Sequence, residues 1–289
     1  MVTVNRLENS PVKNLQSFSM VSTVQNTDVK QKDADRAVVV AVTSRAVFES
    51  GAEDSDGVHG AGIAFPLLQA FQRVNERLLE ENPAESLLFD VVLITTDSQQ
   101  QQQSSRIISS TRQHGLEVSR LCFSSEEDFI ESLLKNNVQL FLSTDRNETS
   151  QASQKGVLSA LLDETAASCP SEQLRVLFCG DAVIRPDAGP TSASKRAAQD
   201  KFTFFPAQSF SAQLGEMRRR FGVLDSPLSI TLMTSGGGRE SCGGALRTLR
   251  SLGVSADEAY CLAGAPRGPI LSLLRHHFLL SDGLGAVED

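Results

Sequence analysis

An α/β fold built on a parallel sheet is predicted by three features of the 289-residue sequence. Short runs of β-branched and apolar residues, the kind buried on both faces of a sheet, recur along it. Segments with apolar residues at helical spacing separate those runs, which is the pattern of βαβ units with right-handed crossovers. The same alternation is then met a second time in the C-terminal half.

Residues 1–36 are rich in Ser, Asn, Gln, Lys and Asp with scattered single hydrophobics. Such a stretch cannot bury enough surface to offset its ordering entropy, and it is predicted to be a disordered N-terminal tail. The α/β region then occupies residues 37–289. Ala37-Val38-Val39-Val40-Ala41-Val42 reads as a fully buried strand. After a Gly/Asp-rich loop near residues 51–62, Pro66 stands where a first helical turn tolerates proline, and Leu67, Phe71, Val74 and Leu78 follow at helical spacing. Next come a strand at Asp90–Thr95, a helix at Ser104–Gln113 stopped by Gly115 and a strand at Val118–Phe123. A helix at Glu126–Leu134 and a strand at Val138–Ser143 complete this half. The Gln99–Gln103 run reads as a polar loop or a frayed helix start.

The second half retells the first. The strand Leu174–Phe178 leads to Asp181-Ala182-Val183-Ile184 as the first strand leads to Arg45-Ala46-Val47-Phe48, with Ala46 and Ala182 separated by 136 positions. Thr234 ends the strand Ser229–Met233 as Thr95 ends its own, at an offset of 139, and Gly253 follows a helix as Gly115 does, at 138. Leu280-Ser281 matches Leu142-Ser143, also at 138. These offsets indicate two duplicated, Rossmann-like βαβ halves, at about 37–147 and 174–285. The competing reading is the generic likeness of any two βαβ stretches.

A formal net charge of −8 opposes nonspecific binding to nucleic acid or anionic lipid, so neither is expected as a partner. The five cysteines, Cys122, Cys169, Cys179, Cys242 and Cys261, are odd in number and widely spaced, and are expected as reduced thiols in a cytoplasmic protein. No apolar run approaches the roughly 20 residues that span a bilayer, and the first residues lack the apolar core expected of a secretory signal.

Chemistry concentrates where the strand Leu174–Phe178 runs into Cys179-Gly180-Asp181-Ala182-Val183. This segment resembles the F-D-G-D-A-V signature of the type I cytosolic 5′-nucleotidases, with cysteine at the first aspartate. Further segments resemble that family in order. They are Val42–Phe48, Ala64-Phe65-Pro66 with Val74–Leu78, Leu246–Gly253, and Leu262-Ala263-Gly264-Ala265-Pro266-Arg267-Gly268-Pro269. The resemblance implies a haloacid-dehalogenase-type, Rossmann-like parallel sheet and a Mg²⁺-dependent enzyme that removes phosphate from nucleoside 5′-monophosphates, AMP above all. It also implies self-association into a homo-oligomer.

Roles follow from the resemblance residue by residue. Cys179 stands at the nucleophile position, Asp181 at the general acid/base, and Thr234 at the hydroxyl that binds the transferring phosphate. Arg267 stands where the family has a lysine, keeping the charge with a different geometry. Asp282 stands as the carboxylate ligand of Mg²⁺. A thiol in place of a carboxylate removes a hard oxygen donor, so metal affinity and turnover are expected to fall. The alternative expectation is a catalytically silent nucleotide-binding or regulatory partner of an active nucleotidase.

Other signals carry less. Cys179 and Arg185 show the C-x5-R spacing of thiol phosphatases, but so do Cys169/Arg175 and Cys261/Arg267, and a carboxylate inside the first spacing opposes an anion cradle. Ser235-Gly236-Gly237-Gly238-Arg239 reads equally as a phosphate-wrapping loop or a plain turn, without the ending of a P-loop. Arg218-Arg219-Arg220 reads as the solvated face of a helix whose apolar face is Phe210, Leu214, Met217 and Phe221. His59, His114, His276 and His277 show no metal spacing.

Overall fold

The computed structural model describes residues 22–49, 58–96, 104–180, 197–222, 225–236 and 239–281. Two sheets are formed. The first contains β1 (Ser22–Gln25), β2 (Val38–Thr43), β3 (Phe89–Thr95), β4 (Arg120–Phe123), β5 (Leu140–Ser143) and β6 (Leu158–Leu161), in the order β1-β4-β3-β2-β5-β6. The second contains β7 (Leu174–Cys179), β8 (Leu228–Thr234), β9 (Glu258–Cys261) and β10 (Phe278–Leu280), in the order β10-β7-β8-β9. Among the described residues, every strand pairing is parallel except that of β1 with β4. The helices are α1 (Ser44–Val47), α2 (Phe65–Glu81), α3 (Ser104–Gln113), α4 (Phe129–Lys135), α5 (Arg146–Gln154), α6 (Glu164–Ala167), α7 (Ala197–Arg220), α8 (Arg239–Ser251) and α9 (Gly268–Leu274).

β2 and β3 are buried at every residue, as their unbroken apolar composition requires of strands covered on both faces. Helix α2 carries Pro66 in its first turn and buries Leu67, Phe71, Val74 and Leu78. Its buried Asn75 is a polar clamp: Nδ2 donates to the Phe89 carbonyl at 2.8 Å, and Oδ1 accepts from the Phe89 N–H at 2.7 Å. Both backbone groups at the start of β3 are thereby satisfied.

One core joins the sheets. Val38, Val40 and Val42 of β2, Leu174, Val176 and Phe178 of β7, the apolar face of α2, and Phe210, Leu214 and Met217 of α7 pack into a single cluster. The far face of the first sheet, including Val39, Ala41, Val92, Ile94 and Phe141, is buried under Phe129 and Leu133 of α4 and Ala152 of α5. The far face of the second sheet is covered by α9, none of whose residues is buried.

Three expectations are corrected. The tail prediction fails from Ser22 onward. β1 is exposed and buries no core, but it pairs antiparallel with β4 and satisfies the backbone groups of that edge. Asn26 Nδ2 donates to the Val118 carbonyl at 2.9 Å, and Lys32 pairs with Glu117 at 3.1 Å. Residues 1–21 lie outside the described residues, as does the Gln99–Gln103 run.

Reduced thiols are also not found throughout. Cys242 and Cys261 form a disulfide with a Cα–Cα separation of 6.0 Å, because the first turn of α8 docks beside the end of β9. Cys122, Cys169 and Cys179 are buried thiols. Finally, Arg218 is not solvated. It is buried and bonds Asp257 through Nε at 3.0 and 3.1 Å and through Nη2 at 2.5 Å, tying α7 to the start of β9, whereas Arg219 and Arg220 are exposed.

Candidate active site

Two of the residues singled out from the sequence, Cys179 and Thr234, stand at the C-terminal ends of strands in the second sheet. β7 lies inside the order β10-β7-β8-β9, with β8 and β9 on one side and β10 on the other. The strand order therefore reverses between β7 and β10, a topological switch point of the kind at which open parallel sheets take their ligands. Cys179 ends β7, buried at 3% exposure and paired in register with Met233. Thr234, the next residue of β8, is wholly buried.

Gly180 explains how close these two strand ends come. A Cβ built on it would stand 2.3 Å from Thr234 Cγ2 and 3.1 Å from Ala245 Cβ, so only glycine lets the chain leave β7 against β8 here. The Thr234 methyl is thus held against Gly180. Its hydroxyl oxygen is buried and, among the described residues, has no hydrogen-bond partner. An unsatisfied buried hydroxyl costs on the order of 1–3 kcal/mol, and in native structures such a group calls for a ligand, an ion or a water as its explanation.

Beyond Thr234 the edge is built from backbone. The Thr234 carbonyl accepts from Leu262 N–H at 2.9 Å, and the Ser235 carbonyl accepts from Gly264 N–H at 2.9 Å. Ala263 (φ 53°) and Gly264 (φ 85°) turn the chain through left-handed conformations directly after β9. For alanine that conformation is uncommon and marks a locally imposed geometry. The turn leads to Arg267, the N-cap residue of α9, which is half-buried. A Cβ on Gly236 would stand 2.6 Å from Ser241 Oγ, so Gly236 lies close against the first turn of α8.

Of the residues singled out from the sequence, Cys179 and Thr234 end adjacent paired strands, and Arg267 follows the turn hydrogen-bonded to Thr234 and Ser235. Asp181 and Asp282 lie outside the described residues; the residues just before them, Gly180 and Ser281, directly follow β7 and β10. The sequence reading did not single out Gly180, Ala263 or the Cys242–Cys261 bond. A glycine between two polar residues at a strand end is the one signal among these that a sequence displays.

Among the described residues, no three His, Cys, Asp or Glu side chains gather into a metal-holding group. The residue ending β7 is a thiol, and sulfur is a soft donor unlike the oxygens a hard Mg²⁺ takes. This part of the edge does not fit that ion. Among the described residues, no helix is long and apolar enough to cross a membrane.

Comparison with known proteins identifies the family. A family described as 5′-nucleotidase matches residues 52–289. Human cytosolic 5′-nucleotidase 1B is 33% identical over 246 residues, which cover 78% of this chain and 40% of that protein, so the chain spans about 40% of the length of this relative. With a match over most of its length, and a parallel α/β sheet of the kind expected, the chain belongs to the 5′-nucleotidase family.

Proposed function

We propose that the chain binds nucleoside 5′-monophosphates, AMP favoured, at the C-terminal edge of the second sheet, and that it hydrolyses them to nucleoside and phosphate slowly. The carrying observation is the buried Thr234 hydroxyl beside the end of β7, which has no hydrogen-bond partner among the described residues. A phosphate oxygen accepting from that hydroxyl supplies the missing partner. Arg267 stands as the cation on the same edge, and its guanidinium presents donors matched to phosphate oxygens. Asp181 fills the role of general acid and base, protonating the leaving nucleoside oxygen.

Family members are generally Mg²⁺-dependent, with Asp282 as the carboxylate in that role. Cys179 is the reason for slow turnover. A sulfur at the nucleophile position withholds an attacking oxygen and a hard metal donor together. It also favours a second reading, a catalytically silent nucleotide-binding or regulatory partner of an active nucleotidase. The name of the human relative supports a cytoplasmic setting.

The test is phosphate release from AMP with Mg²⁺ by the wild type and by Cys179→Asp. Slow release that rises by about 10²-fold or more in the variant is the expected result, the scale of a restored catalytic group. Robust wild-type release refutes impairment, and AMP binding by calorimetry with no release from either protein selects the silent reading.

A further inference from the structure

We propose that the Cys242–Cys261 disulfide is a redox modification site that sets the geometry of the phosphate-binding edge, with a dithiol reductant as its co-reactant. The proposal rests on the reading of Thr234 as the phosphate-binding hydroxyl and adds control of that site.

Placement comes first. Cys261 is the register partner of Thr234 across the β8–β9 pairing. Cys242 lies in the first turn of α8, eight residues beyond Thr234. The bond therefore ties the entry of α8 to the strand directly beside the unpartnered hydroxyl. Cross-linking at that point limits how far the α8 entry can move from β8 and β9. Thr234 Cγ2 and Ala245 Cβ, the latter on α8, both stand against the Gly180 position. A shift of α8 is thus felt at Gly180, against which Thr234 packs.

Access distinguishes this pair from the other thiols. Cys261 is exposed and Cys242 half-buried, while Cys122, Cys169 and Cys179 are buried. Burial also pushes the Cys169 thiol up to about 11, and its Sγ donates to the Arg275 carbonyl at 2.8 Å, which leaves it unreactive. Reducing compartments do not sustain structural disulfides, and exposed bonds there are the labile, regulatory ones.

The first sheet supplies a control. At the offset of 138 that relates the two halves, Phe123 stands for Cys261 and Ser104 for Cys242. The cross-link is thus confined to the half that carries the unpartnered hydroxyl.

The step balances simply. A thiolate of the reductant attacks one sulfur of the Cys242–Cys261 bond, forming a mixed disulfide and releasing the other as a thiolate. The reductant's second thiolate then resolves the mixed disulfide. Two electrons and two protons end on Cys242 and Cys261, and the reductant leaves as a disulfide. Binding and redox state are linked reciprocally, so whatever factor reduction removes from nucleotide affinity, bound nucleotide adds to resistance against reduction.

The experiment uses the full chain, as wild type and as the Cys242→Ser/Cys261→Ser double variant, titrated calorimetrically with AMP with and without dithiothreitol. Reduction is expected to weaken AMP binding to the wild type by about tenfold, within the range of ordinary site coupling. The double variant should bind as the reduced wild type does in both buffers, which separates this effect from any reaction at Cys179. Equal wild-type affinity in both redox states overturns the proposal, and so does alkylation of both cysteines without reductant. If AMP binds in neither state, the nucleotide-site reading fails instead. Backbone hydrogen exchange over residues 234–245 then decides: faster exchange on reduction supports the switch, and unchanged exchange overturns it.

Discussion

The two sheets carry the same strand order over their common part, β4-β3-β2-β5 in the first and β9-β8-β7-β10 in the second. The likeness extends to single hydrogen bonds. Val38 N–H donates to the Leu88 carbonyl as Leu174 N–H donates to that of Pro227, both at 2.8 Å, and Gln139 N–H donates to Val39 as His277 N–H donates to Arg175, both at 2.9 Å. At the strand ends, Ser124 N–H bonds the Thr95 carbonyl and Leu262 N–H that of Thr234. Register is fixed by which face each side chain must take. The same register recurs at the offsets of 136 to 139.

Against that common frame the C-terminal edges differ. In the first sheet the polar side chains close on one another. Thr43 Oγ1 donates to Ser143 Oγ at 3.4 Å, Ser143 Oγ to Glu148 Oε2 at 2.6 Å, and Thr96 Oγ1 to Glu148 Oε1 at 3.3 Å. Arg45 Nη2 neutralises Glu148 at 2.5 Å and reaches Asp145 at 3.3 Å. In the second sheet, Cys179 stands for Thr43, and the Thr234 hydroxyl goes without a partner among the described residues. A network satisfied internally has no use for a ligand, whereas an unsatisfied donor does. On the proposed reading, the first half serves as scaffold and the second as site.

The largest test of the frame exchanges equivalent residues. His277 occupies the place of Gln139, is almost fully buried, and accepts at Nδ1 from the Arg175 N–H at 3.0 Å. Burial foremost, then the Arg175 and His276 charges, lowers its pKa to about 4. The folded state thus holds His277 neutral while the unfolded chain protonates it below about pH 6.5. Stability from this residue is present above that value and lost as pH falls toward 4, by about 3 kcal/mol across the window. His277→Gln keeps an acceptor and cannot titrate. Urea unfolding near pH 7.5 and pH 4.5 should show the wild type losing that much more than the variant, and equal losses would break the equivalence.

The next effect is local. Gly180 stands where the first sheet has Ser44, a buried residue whose side chain is accommodated. Gly180→Ala drives a methyl onto Thr234 and Ala245. Overpacking of this kind destabilises by about 2 kcal/mol, and displacing Thr234 should abolish AMP binding. Ser44→Ala, the control, trims a buried side chain of the first sheet without adding one at the site and should leave binding intact. AMP titration of both variants decides, and retained binding in Gly180→Ala would show that the close approach is incidental.

Much of this was legible in the residues. The run Val38–Val42 could be nothing but a buried strand, and the offsets of Ala46, Thr95 and Gly115 from their counterparts foretold the repeated register. β1 and β6 were not legible, since Ser22–Gln25 is polar and exposed and Leu158–Leu161 is short and half-buried. Arg218 escaped for a different reason. It follows Leu214 by one turn and so sits on the buried stripe, but the acid that makes burial tolerable, Asp257, is 39 residues away. The disulfide joins cysteines 19 residues apart, a spacing without a motif. Thr234 was legible as a residue type, but a missing partner is a property of three-dimensional surroundings and no sequence displays it.

That missing partner gives the smallest predicted effect and the most discriminating sign. Thr234→Val replaces the hydroxyl by a methyl of nearly equal shape and leaves no buried donor unsatisfied. If the hydroxyl serves only a ligand, its removal should stabilise the ligand-free chain by about 1 kcal/mol while weakening AMP binding. If it serves the fold, both stability and binding should fall together. Thermal unfolding without nucleotide, set beside an AMP titration, reads the two quantities separately. Opposite signs are the mark of a group held unsatisfied for function, because a fold gains nothing from a buried hydroxyl that bonds nothing.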